Sequence, residues 1–287
     1  AGSVPQVVAR IGDAVQSGGN LVSIGTQDHS LNDDGKVAFR ATVTGGIGVI
    51  CIGQAGSPPV KVAATGDTLL GGRVTWLPNT FKMNAAGQVA YVANVSYDDG
   101  RTLQGVFLGT PGGTQYKIAF AGDTAPGTAG GKFGNFRDVA LALNNSGQVG
   151  FWASLTGVLL TTGYFLGSAA AAPAPRLLEG QLLPGGGLAG VVVPAAQVFQ
   201  LNDQGEMAMS VAYVTGAADL PRVVIADANG VLRHFASVGE QAHGTSSRYG
   251  FPCRSLAVNP DGKFFFHSIL VGGPAKTGIF WNGHPAQ

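Results

Sequence analysis

The stretch that decides the fold is LNNSGQVGFWA, residues 143–153, because the chain carries five related copies of it. The other copies are LNDDGKVAFRA from Leu31, MNAAGQVAYVA from Met83, LNDQGEMAMSV from Leu201 and VNPDGKFFFHS from Val258. In each copy a Gly follows an Asn by three residues, and successive Asn residues are 52, 60, 58 and 57 positions apart: Asn32, Asn84, Asn144, Asn202 and Asn259. Self-similarity at a nearly constant period indicates a repeat architecture.

Two further signals keep the same period. An apolar run before each copy ends in Gly and a polar residue, which is Asp13, Asp67, Asp123, Gln181 or Glu240. A short apolar strand follows each copy, beginning at Gly48, Gly105, Gly163, Arg222 or Gly278. The Asn-x-x-Gly step has the chemistry of a tight hairpin, since Asn bonds its local backbone and Gly accepts a positive φ. Each repeat therefore predicts four antiparallel strands.

The two ends of the chain complement each other. VPQVVARIGD, residues 4–13, is a fourth strand without its three predecessors, and GIFWNG, residues 278–283, is a third strand without its successor. Four strands per repeat are typical of a propeller blade. We therefore predict a single all-β domain over residues 1–287, a five-bladed β-propeller of four-stranded antiparallel blades. Pairing of the N-terminal strand with the C-terminal blade would close the ring and remove an exposed sheet edge.

The repeats resemble those of bacterial exported proteins with tandem NxxGxVAF-type repeats, which often carry a VAxxGDxxPG element between copies. The matching stretches are LNDDGKVAF, MNAAGQVAY, LNNSGQVGF and the linker AGDTAPG at residues 121–127. The fourth and fifth copies depart from the pattern, with EMAMS and KFFFH in place of VAF. The resemblance implies a β-propeller-like repeat architecture and export, and it brings no agreed activity or catalytic residues.

Composition argues against several classes of protein. The formal net charge is +1 and charged residues make up 11% of the chain, without a basic stripe, so we expect no nucleic-acid partner. The apolar runs are too short for a membrane-spanning helix. Low charge, few Cys and the resemblance together predict a secreted, periplasmic or cell-surface protein. The start Ala1-Gly2-Ser3 fits either signal-peptide removal or a remnant of cloning.

The two cysteines, Cys51 and Cys253, match no zinc-ligand spacing. Cys51 lies on an outer third strand, whereas Cys253 enters an inner first strand. A disulfide requires Cα atoms within about 7 Å, so two free thiols are predicted.

Two other patterns invite a chemical interpretation. A Gly-x-Gly-x-x-Gly occurs at residues 185–190, but no helix pattern follows it, so we interpret it as a Gly-rich loop rather than a dinucleotide site. The recurring acidic residues could converge into a cation site, or each could cap its own turn by accepting backbone N–H bonds. The capping role is favoured for a residue that recurs in every repeat, and neither a metal nor a cofactor is expected.

Function is better sought where the repeats differ. The loop QAHGTSSRYGFPCR, residues 241–254, is the least repeat-like part of the chain. Two guanidinium groups beside an aromatic ring can hold an acidic or hydroxylated ligand. One position of the second strand varies between the repeats, and it supplies two further polar neighbours, Arg40 and His267. The predicted ligand-binding residues are His243, Arg248, Tyr249, Arg254, Arg40 and His267; catalytic residues are not identified, because no acid partner accompanies the Ser and His of the loop.

Three functions fit these observations. The leading hypothesis is an exported, non-catalytic binding or scaffold propeller that recognises a carbohydrate or small polar ligand, or a protein partner at the cell envelope. The first alternative is an extracellular hydrolase or lyase acting on a glycan or small molecule in an axial pocket. A glycosidase needs two suitably spaced carboxylates, and the candidates outside the Asn-x-x-Gly turns are Asp28, Asp138, Glu179 and the recurring acidic residues. The second alternative is a structural subunit of a surface assembly.

Overall fold

A computed structural model of the protein describes residues 4–27, 29–190, 199–214, 219–259 and 262–281. Over these residues the regular structure consists of β-strands, which confirms the predicted all-β class. Within the same ranges, no helix has the length and apolar character needed to cross a membrane. The strands form five antiparallel sheets, which follow the five repeats in chain order and are numbered accordingly.

The first two sheets share one arrangement. In each, a short strand just before the Asn-x-x-Gly turn pairs with the long strand that follows the turn. The first has the order β1-β2-β4-β5-β6 with β3 on β4, and the second has β12-β11-β10-β8-β7 with β9 on β10. Their strands are β1 Ala14–Val15, β2 Gly19–Ile24, β3 Ser30–Leu31, β4 Val37–Val43, β5 Ile47–Gln54, β6 Ser57–Ala64, β7 Thr68–Leu69, β8 Gly72–Trp76, β9 Lys82–Met83, β10 Val89–Ser96, β11 Thr102–Gly109 and β12 Gln115–Phe120.

The last three sheets have four, five and three strands among the described residues. Their orders are β13-β14-β15-β16, then β17-β19-β20-β21 with β18 on β19, then β22-β23-β24. The strands are β13 Lys132–Leu143, β14 Gln148–Thr156, β15 Thr162–Ser168, β16 Ala174–Leu178, β17 Leu188–Ala189, β18 Phe199–Leu201, β19 Met207–Val214, β20 Asp219–Ala226, β21 Leu232–Ser237, β22 Arg248–Val258, β23 Phe264–Val271 and β24 Thr277–Trp281.

The repeated Asn closes each hairpin by its side chain. Its Oδ1 accepts a hydrogen bond from the backbone N–H four residues later, at 2.8 to 2.9 Å in all five repeats. The Gly of each turn has a φ between 73° and 81°, where an L-residue would be strained. The same Asn also joins neighbouring repeats, because the Nδ2 of Asn32 donates to the Ala85 carbonyl and that of Asn144 to the Asn202 carbonyl, both at 3.0 Å.

The chain forms two compact units, residues 1–123 with 168–172, and residues 124–167 with 173–287. The first two sheets belong to the first unit and the last three to the second. The Gly and the polar residue after it (Asp13, Asp67, Asp123, Gln181 or Glu240) are called here the Gly-acid step. Within each unit, this step leads from the fourth strand of one sheet to the first strand of the next. The N–H of Gly66 donates to the Val74 carbonyl at 2.7 Å, and that of Gly239 donates to the Tyr249 carbonyl at 2.7 Å.

The fifth sheet differs from the others in the exposure of its third strand. Ile279 of β24 is 76% exposed. The residues at the same repeat position in the other sheets are fully buried: Ile50, Val106, Tyr164 and Val223. The fifth sheet has three strands among the described residues, and β24 pairs with β23 alone among them.

Residues 4–13 lie outside strands, whereas the sequence predicted a fourth strand there. The predicted partner strand, β24, belongs to the second unit. The segment is nevertheless attached to the first sheet as a fourth strand would be. The N–H of Gly12 donates to the Leu21 carbonyl at 2.8 Å, which repeats the Gly66 to Val74 bond.

Candidate functional site

A groove of about 880 Å³ lies in the second unit, between the outer strands of the fourth sheet and the third strand of the fifth. The loop after the Gly239-Glu240 step closes one end of it. The lining residues are Ile225, Arg233, His234, Phe235, His243, Thr245, Tyr249, Leu270 and the whole of β24, Thr277–Trp281.

The floor of the groove is aromatic. The rings of Tyr249 and Phe280 meet edge to face with centroids 4.9 Å apart. Phe266 packs behind both, 5.6 Å from Tyr249 and 5.4 Å from Phe280. Phe235 from the fourth sheet stands against Phe266 at 5.0 Å. Such edge-to-face and tilted pairs are favourable geometries, so the floor is a packed and preformed surface.

The rim of the groove is polar and cationic. The Nε2 of His234 lies 2.8 Å from the Glu240 Oε2, and the Arg233 guanidinium pairs with the Glu206 carboxylate. His243 and Thr245 come from the loop at the other end. The groove therefore combines an apolar floor with hydrogen-bonding groups at its edge, which is the usual make-up of a small-molecule site.

Tyr249 is 6% exposed, and its phenol points to the loop. Burial raises the pKa of the Tyr249 phenol, a backbone hydrogen bond from His243 offsets part of that effect, and the Glu240 carboxylate adds to it. Tyr249 therefore stays neutral at physiological pH and ties the loop to the floor.

The structure brings some of the predicted ligand-binding residues together. His243 and Tyr249 line the groove. Arg248 lies next to Tyr249, but its Nη1 donates to the Gly239 carbonyl at 2.7 Å, and the residue does not line the cavity. His267 is half-buried on β23, paired between Ser255 and Ile279. The side chains of Arg254 and Cys253 lie outside the part of the chain that the structure describes, as does Asp28.

Arg40 lies in the first unit, where backbone carbonyls engage it. Its Nη1 donates to the carbonyls of Ala41 and Val49, at 2.8 and 3.1 Å. The guanidinium packs directly against Gly48. A Cβ added at Gly48 would lie 2.3 Å from Arg40 Nη2. Burial lowers the pKa of Arg40. Buried Cys51 lies nearby as a free thiol, and burial raises its pKa to about 12 against the opposing charges of Arg40 and Lys61.

The acidic residues of the Gly-acid steps form hydrogen bonds within their own repeats. Asp13, Asp67 and Glu240 each accept a backbone N–H bond from the residue three positions earlier, at 2.7 to 2.9 Å. Gln181 does the same at 3.1 Å, so the cap does not need a charge. Among the described residues no group of three or more His, Cys, Asp or Glu is arranged to hold a metal ion.

A basic side chain accompanies each charged cap. It stands six residues before the acid in three repeats: Lys61 pairs with Asp67, Lys117 pairs with Asp123, and the His234 Nε2 hydrogen-bonds with Glu240, at 2.8 to 3.0 Å. In the repeat that carries the neutral Gln181, the residue six positions earlier is Pro175. The charge and its partner are thus present or absent together.

The Gly-rich loop at residues 185–190 is a structural loop held by Arg222. The Arg222 guanidinium donates from Nη1 to the carbonyls of Pro184 and Gly186, at 2.7 and 2.8 Å, and from Nε to the Ser237 Oγ at 2.7 Å. Strand β17 follows, rather than the helix that a dinucleotide site requires.

Sequence reasoning missed the groove residues that belong to regular strands. Arg233, His234, Phe235 and Phe280 occupy ordinary repeat positions, so nothing in their pattern marked them.

Comparisons with known proteins place the chain in a family without adding a ligand. A comparison with curated proteins found no match. Two solved structures are similar at low level. The GH93 α-L-arabinofuranosidase of Fusarium graminearum, in complex with arabinobiose, is 10% identical with a TM-score of 0.37, covering 90% of this chain and 93% of that one.

The second structure is a subtype N11 neuraminidase-like protein of A/flat-faced bat/Peru/033/2010. It is 9% identical with a TM-score of 0.33, covering 96% of this chain and 91% of that one. At TM-scores below 0.5 neither likeness bears on the function of this chain. A family model described as a family of unknown function, DUF7453, matches residues 1–282. The chain therefore belongs to the DUF7453 family.

Proposed function

We propose that the protein is an exported, non-catalytic binding module whose ligand is a carbohydrate or another small polar molecule. The groove beside β24 carries this proposal. Its volume is about 880 Å³ without the closing strand that we propose below, and ligand sites usually measure roughly 300–1,000 Å³. The aromatic floor offers a face for a sugar ring, and Arg233, His243 and Thr245 offer hydrogen bonds at the rim.

Binding is favoured over hydrolysis by the state of the carboxylates. Glycoside hydrolysis uses two carboxyl groups that flank the scissile bond. Glu179 accepts the Thr161 N–H at 2.9 Å, and Asp138 accepts the Val139 N–H at 2.9 Å. Glu240 caps its turn and pairs with His234. The residues that line the groove in the described part of the chain include no Asp or Glu.

We also propose that the five sheets close into a five-bladed propeller, with residues 4–13 supplying the last strand. Two observations, one in each unit, support closure. In the first unit, Val8 packs against the first sheet in the way that Val62 of the fourth strand β6 packs against the second sheet. A Cβ added at Gly53 would lie 2.8 Å from Val8 Cγ1, and a Cβ added at Gly109 would lie 2.8 Å from Val62 Cγ1. In the second unit, Ile279 is exposed where every equivalent is buried.

A closing strand would narrow the groove without filling its loop end. The first sheet, which has its fourth strand, keeps a cavity of about 500 Å³ at the corresponding place. Gly18 and Val49 line that cavity, and their repeat equivalents in the fifth sheet are Thr245 and Gly278. The proposed ligand therefore sits at the end formed by His243, Thr245 and Tyr249.

Export to the periplasm, the cell surface or the medium is part of the proposal. Its support is the low proportion of charged residues, 11%, together with the Gly-rich repeats. A protein partner at the envelope would use a surface away from the groove.

Titration of the protein against a panel of glycans and small organic acids tests the binding proposal. A ligand of the groove should lose about tenfold or more in affinity in a His243→Ala, Arg233→Ala double variant, equivalent to about 1.4 kcal/mol or more. Arg101→Ala is the matched control, because this exposed cation of the first unit pairs only locally, with Asp99. A ligand bound equally by all three proteins would place its site elsewhere.

A further inference from the structure

The loop between β14 and β15 presents an aliphatic side chain to solvent. Its residues 157–161 read GVLLT, and Leu159 is 98% exposed. The corresponding loops of the first, second and fifth sheets contain no Leu, Ile or Val: they read TGG, YDDGR and GGPAK, at residues 44–46, 97–101 and 272–276. The exposed Leu is therefore a departure from the other described repeats.

A pair of exposed Leu residues lies at the start of the fourth sheet. Leu182, the residue after the Gly-acid step, is bridged to Leu188 of β17, and the two are 69% and 49% exposed. Residues directly opposed in an antiparallel pair project from the same face. In the other repeats the residue on the first strand of this pair is polar or charged: Ala14 pairs with Asn20, Thr68 with Arg73, Thr124 with Lys132 and Gln241 with Arg248.

The loop and the pair are adjacent within the second unit. A Cβ added at Gly180 would lie 3.4 Å from Leu160 Cδ2, so the loop rests on the Gly-acid step. The Gly180 N–H donates to the carbonyl of Ala189, the residue after Leu188, at 2.7 Å. We name the resulting surface the leucine patch; it consists of Leu159, Leu160, Leu182 and Leu188.

The leucine patch belongs to a part of the chain with very little charge. Between Asp138 and Asp203 the sequence has two charged residues, Arg176 and Glu179. Arg176 is buried, at 8% exposed, and the Glu179 Oε2 accepts the Thr161 N–H at 2.9 Å. The segments that carry the patch therefore offer no exposed Lys or Arg beside it.

This lack of charge distinguishes between the surfaces that could cover the patch. Clustered exposed aliphatic side chains usually mark a contact surface. A weak apolar anchor holds a protein at a bilayer stably only with a second signal such as a basic cluster, and these segments have none. Contacts between different proteins concentrate their binding energy in Trp, Tyr and Arg, whereas homodimer interfaces are more apolar.

Symmetry favours an uncharged surface as well. A two-fold contact places the same surface of both copies together, so charged groups near the axis would meet like charges. The leucine patch avoids this repulsion. The net charge of +1 also leaves little repulsion between whole copies of the chain.

We propose that the leucine patch is the contact surface for a second copy of this chain, in a symmetric dimer. Leu159 and the Leu182–Leu188 pair pack against the same surface of the other copy and are removed from water. The dimer goes beyond the proposed ligand site, because none of the patch residues lines the groove beside β24.

Sedimentation equilibrium over a range of protein concentrations tests this contact. We expect the parent protein to form a dimer, and Leu159→Lys and Leu182→Lys each to weaken dimerisation by about tenfold or more, because like charges would meet in the contact. Both side chains are exposed, so neither change should disturb folding, which equal melting temperatures verify. A dimer of parental strength in both variants would overturn the proposal, as would a parent that stays monomeric.

Leu31→Lys is the matched control, because Leu31 of the first unit is 69% exposed, as Leu182 is, and the change adds the same charge. This variant should form a dimer as the parent does, and an equal loss of dimerisation in Leu31→Lys would contradict a contact through the patch. Sedimentation with phosphatidylcholine vesicles tests the alternative occupant. A monomeric parent that sediments with the vesicles, and a Leu182→Lys variant that does not, would assign the patch to a lipid surface and overturn the dimer.

Discussion

The side-chain amide of Asn144 donates a 3.0 Å hydrogen bond to the carbonyl of Asn202, the corresponding residue of the next repeat. The Oδ1 of the same Asn144 accepts the Gln148 N–H at 2.8 Å. One buried side chain, 3% exposed, thus closes a hairpin and joins two sheets. Asp would serve the first role and not the second, which explains an amide at Asn32, Asn144 and Asn202, whose Nδ2 atoms each reach a carbonyl of the next repeat.

Asn144→Ala should destabilise the protein by about 2 kcal/mol or more, because it leaves a buried N–H and a buried carbonyl without this partner. Asn144→Asp is the matched variant, since it keeps the acceptor of the turn and loses the donor to Asn202. We expect an intermediate loss of unfolding free energy in urea denaturation. Equal stability of the Ala variant and the parent would show that the turn does not depend on this side chain.

The acidic caps should behave as structural groups. Asp67→Asn keeps an oxygen for the Ala64 N–H and loses the ion pair with Lys61, so it should cost less than about 1 kcal/mol. Asp67→Ala loses both and should cost about 1–2 kcal/mol. Melting temperatures with calcium and with a chelator should agree for the parent protein. A calcium-dependent rise that disappears in Asp67→Asn would instead indicate a cation site.

The all-β fold could be predicted because its signals are local. Asn-x-x-Gly fixes a hairpin through atoms within four residues, so its recurrence at one period reveals the repeat unit directly. The contacts between repeats could not be predicted in the same way. The Asn144 to Asn202 bond and the contact of Val8 with Gly53 join residues far apart in sequence, and no short-range pattern encodes them.

Only the part of the candidate site that departs from the repeat pattern could be predicted from the sequence. His243 and Tyr249 stood out because their loop departs from the repeat. Phe235 and Phe280 line the same groove, but they occupy ordinary repeat positions, which the described repeats fill with apolar residues except for Arg176 at the position of Phe235. Arg40 was predicted to bind a ligand, and the structure shows its guanidinium bonded to the backbone carbonyls of Ala41 and Val49.

Cys51 should not react with thiol reagents in the folded protein. It is fully buried and burial raises its pKa to about 12, so almost no thiolate exists at pH 8. Iodoacetamide should label Cys51 only after denaturation, and unreduced denatured protein should titrate two thiols. Recovery of a peptide linking Cys51 to Cys253 by mass spectrometry would contradict this prediction.

The same thiol gives a sign for the pH dependence of stability. The pKa of Cys51 is raised in the folded state above its ordinary value of 9.0, so the neutral thiol is favoured by folding. This contribution is complete below pH 9 and is lost as the pH rises toward about 12. Cys51→Ala should therefore lose less stability than the parent between pH 9 and pH 11.

Arg222 should be essential for the order of the Gly-rich loop. Arg222→Met keeps much of the volume and removes the donors to Pro184, Gly186 and Ser237. We expect a loss of about 2–4 kcal/mol and faster hydrogen exchange at residues 184–187. Arg248→Met is the control, because Arg248 donates to a single carbonyl, that of Gly239. Equal effects of the two changes would rule out this role for Arg222.

Hydrogen exchange at the backbone amide of Ile279 tests the closed ring most directly. The Lys276 carbonyl accepts the Leu270 N–H of β23 at 2.8 Å, so by alternation Gly278 also faces β23 and the N–H of Ile279 points to the other edge of β24. Closure by residues 4–13 predicts that this amide exchanges at least about 100-fold more slowly than an unprotected one, and that deletion of residues 1–13 abolishes the protection. Exchange at the unprotected rate in the intact protein would contradict the closed five-bladed ring.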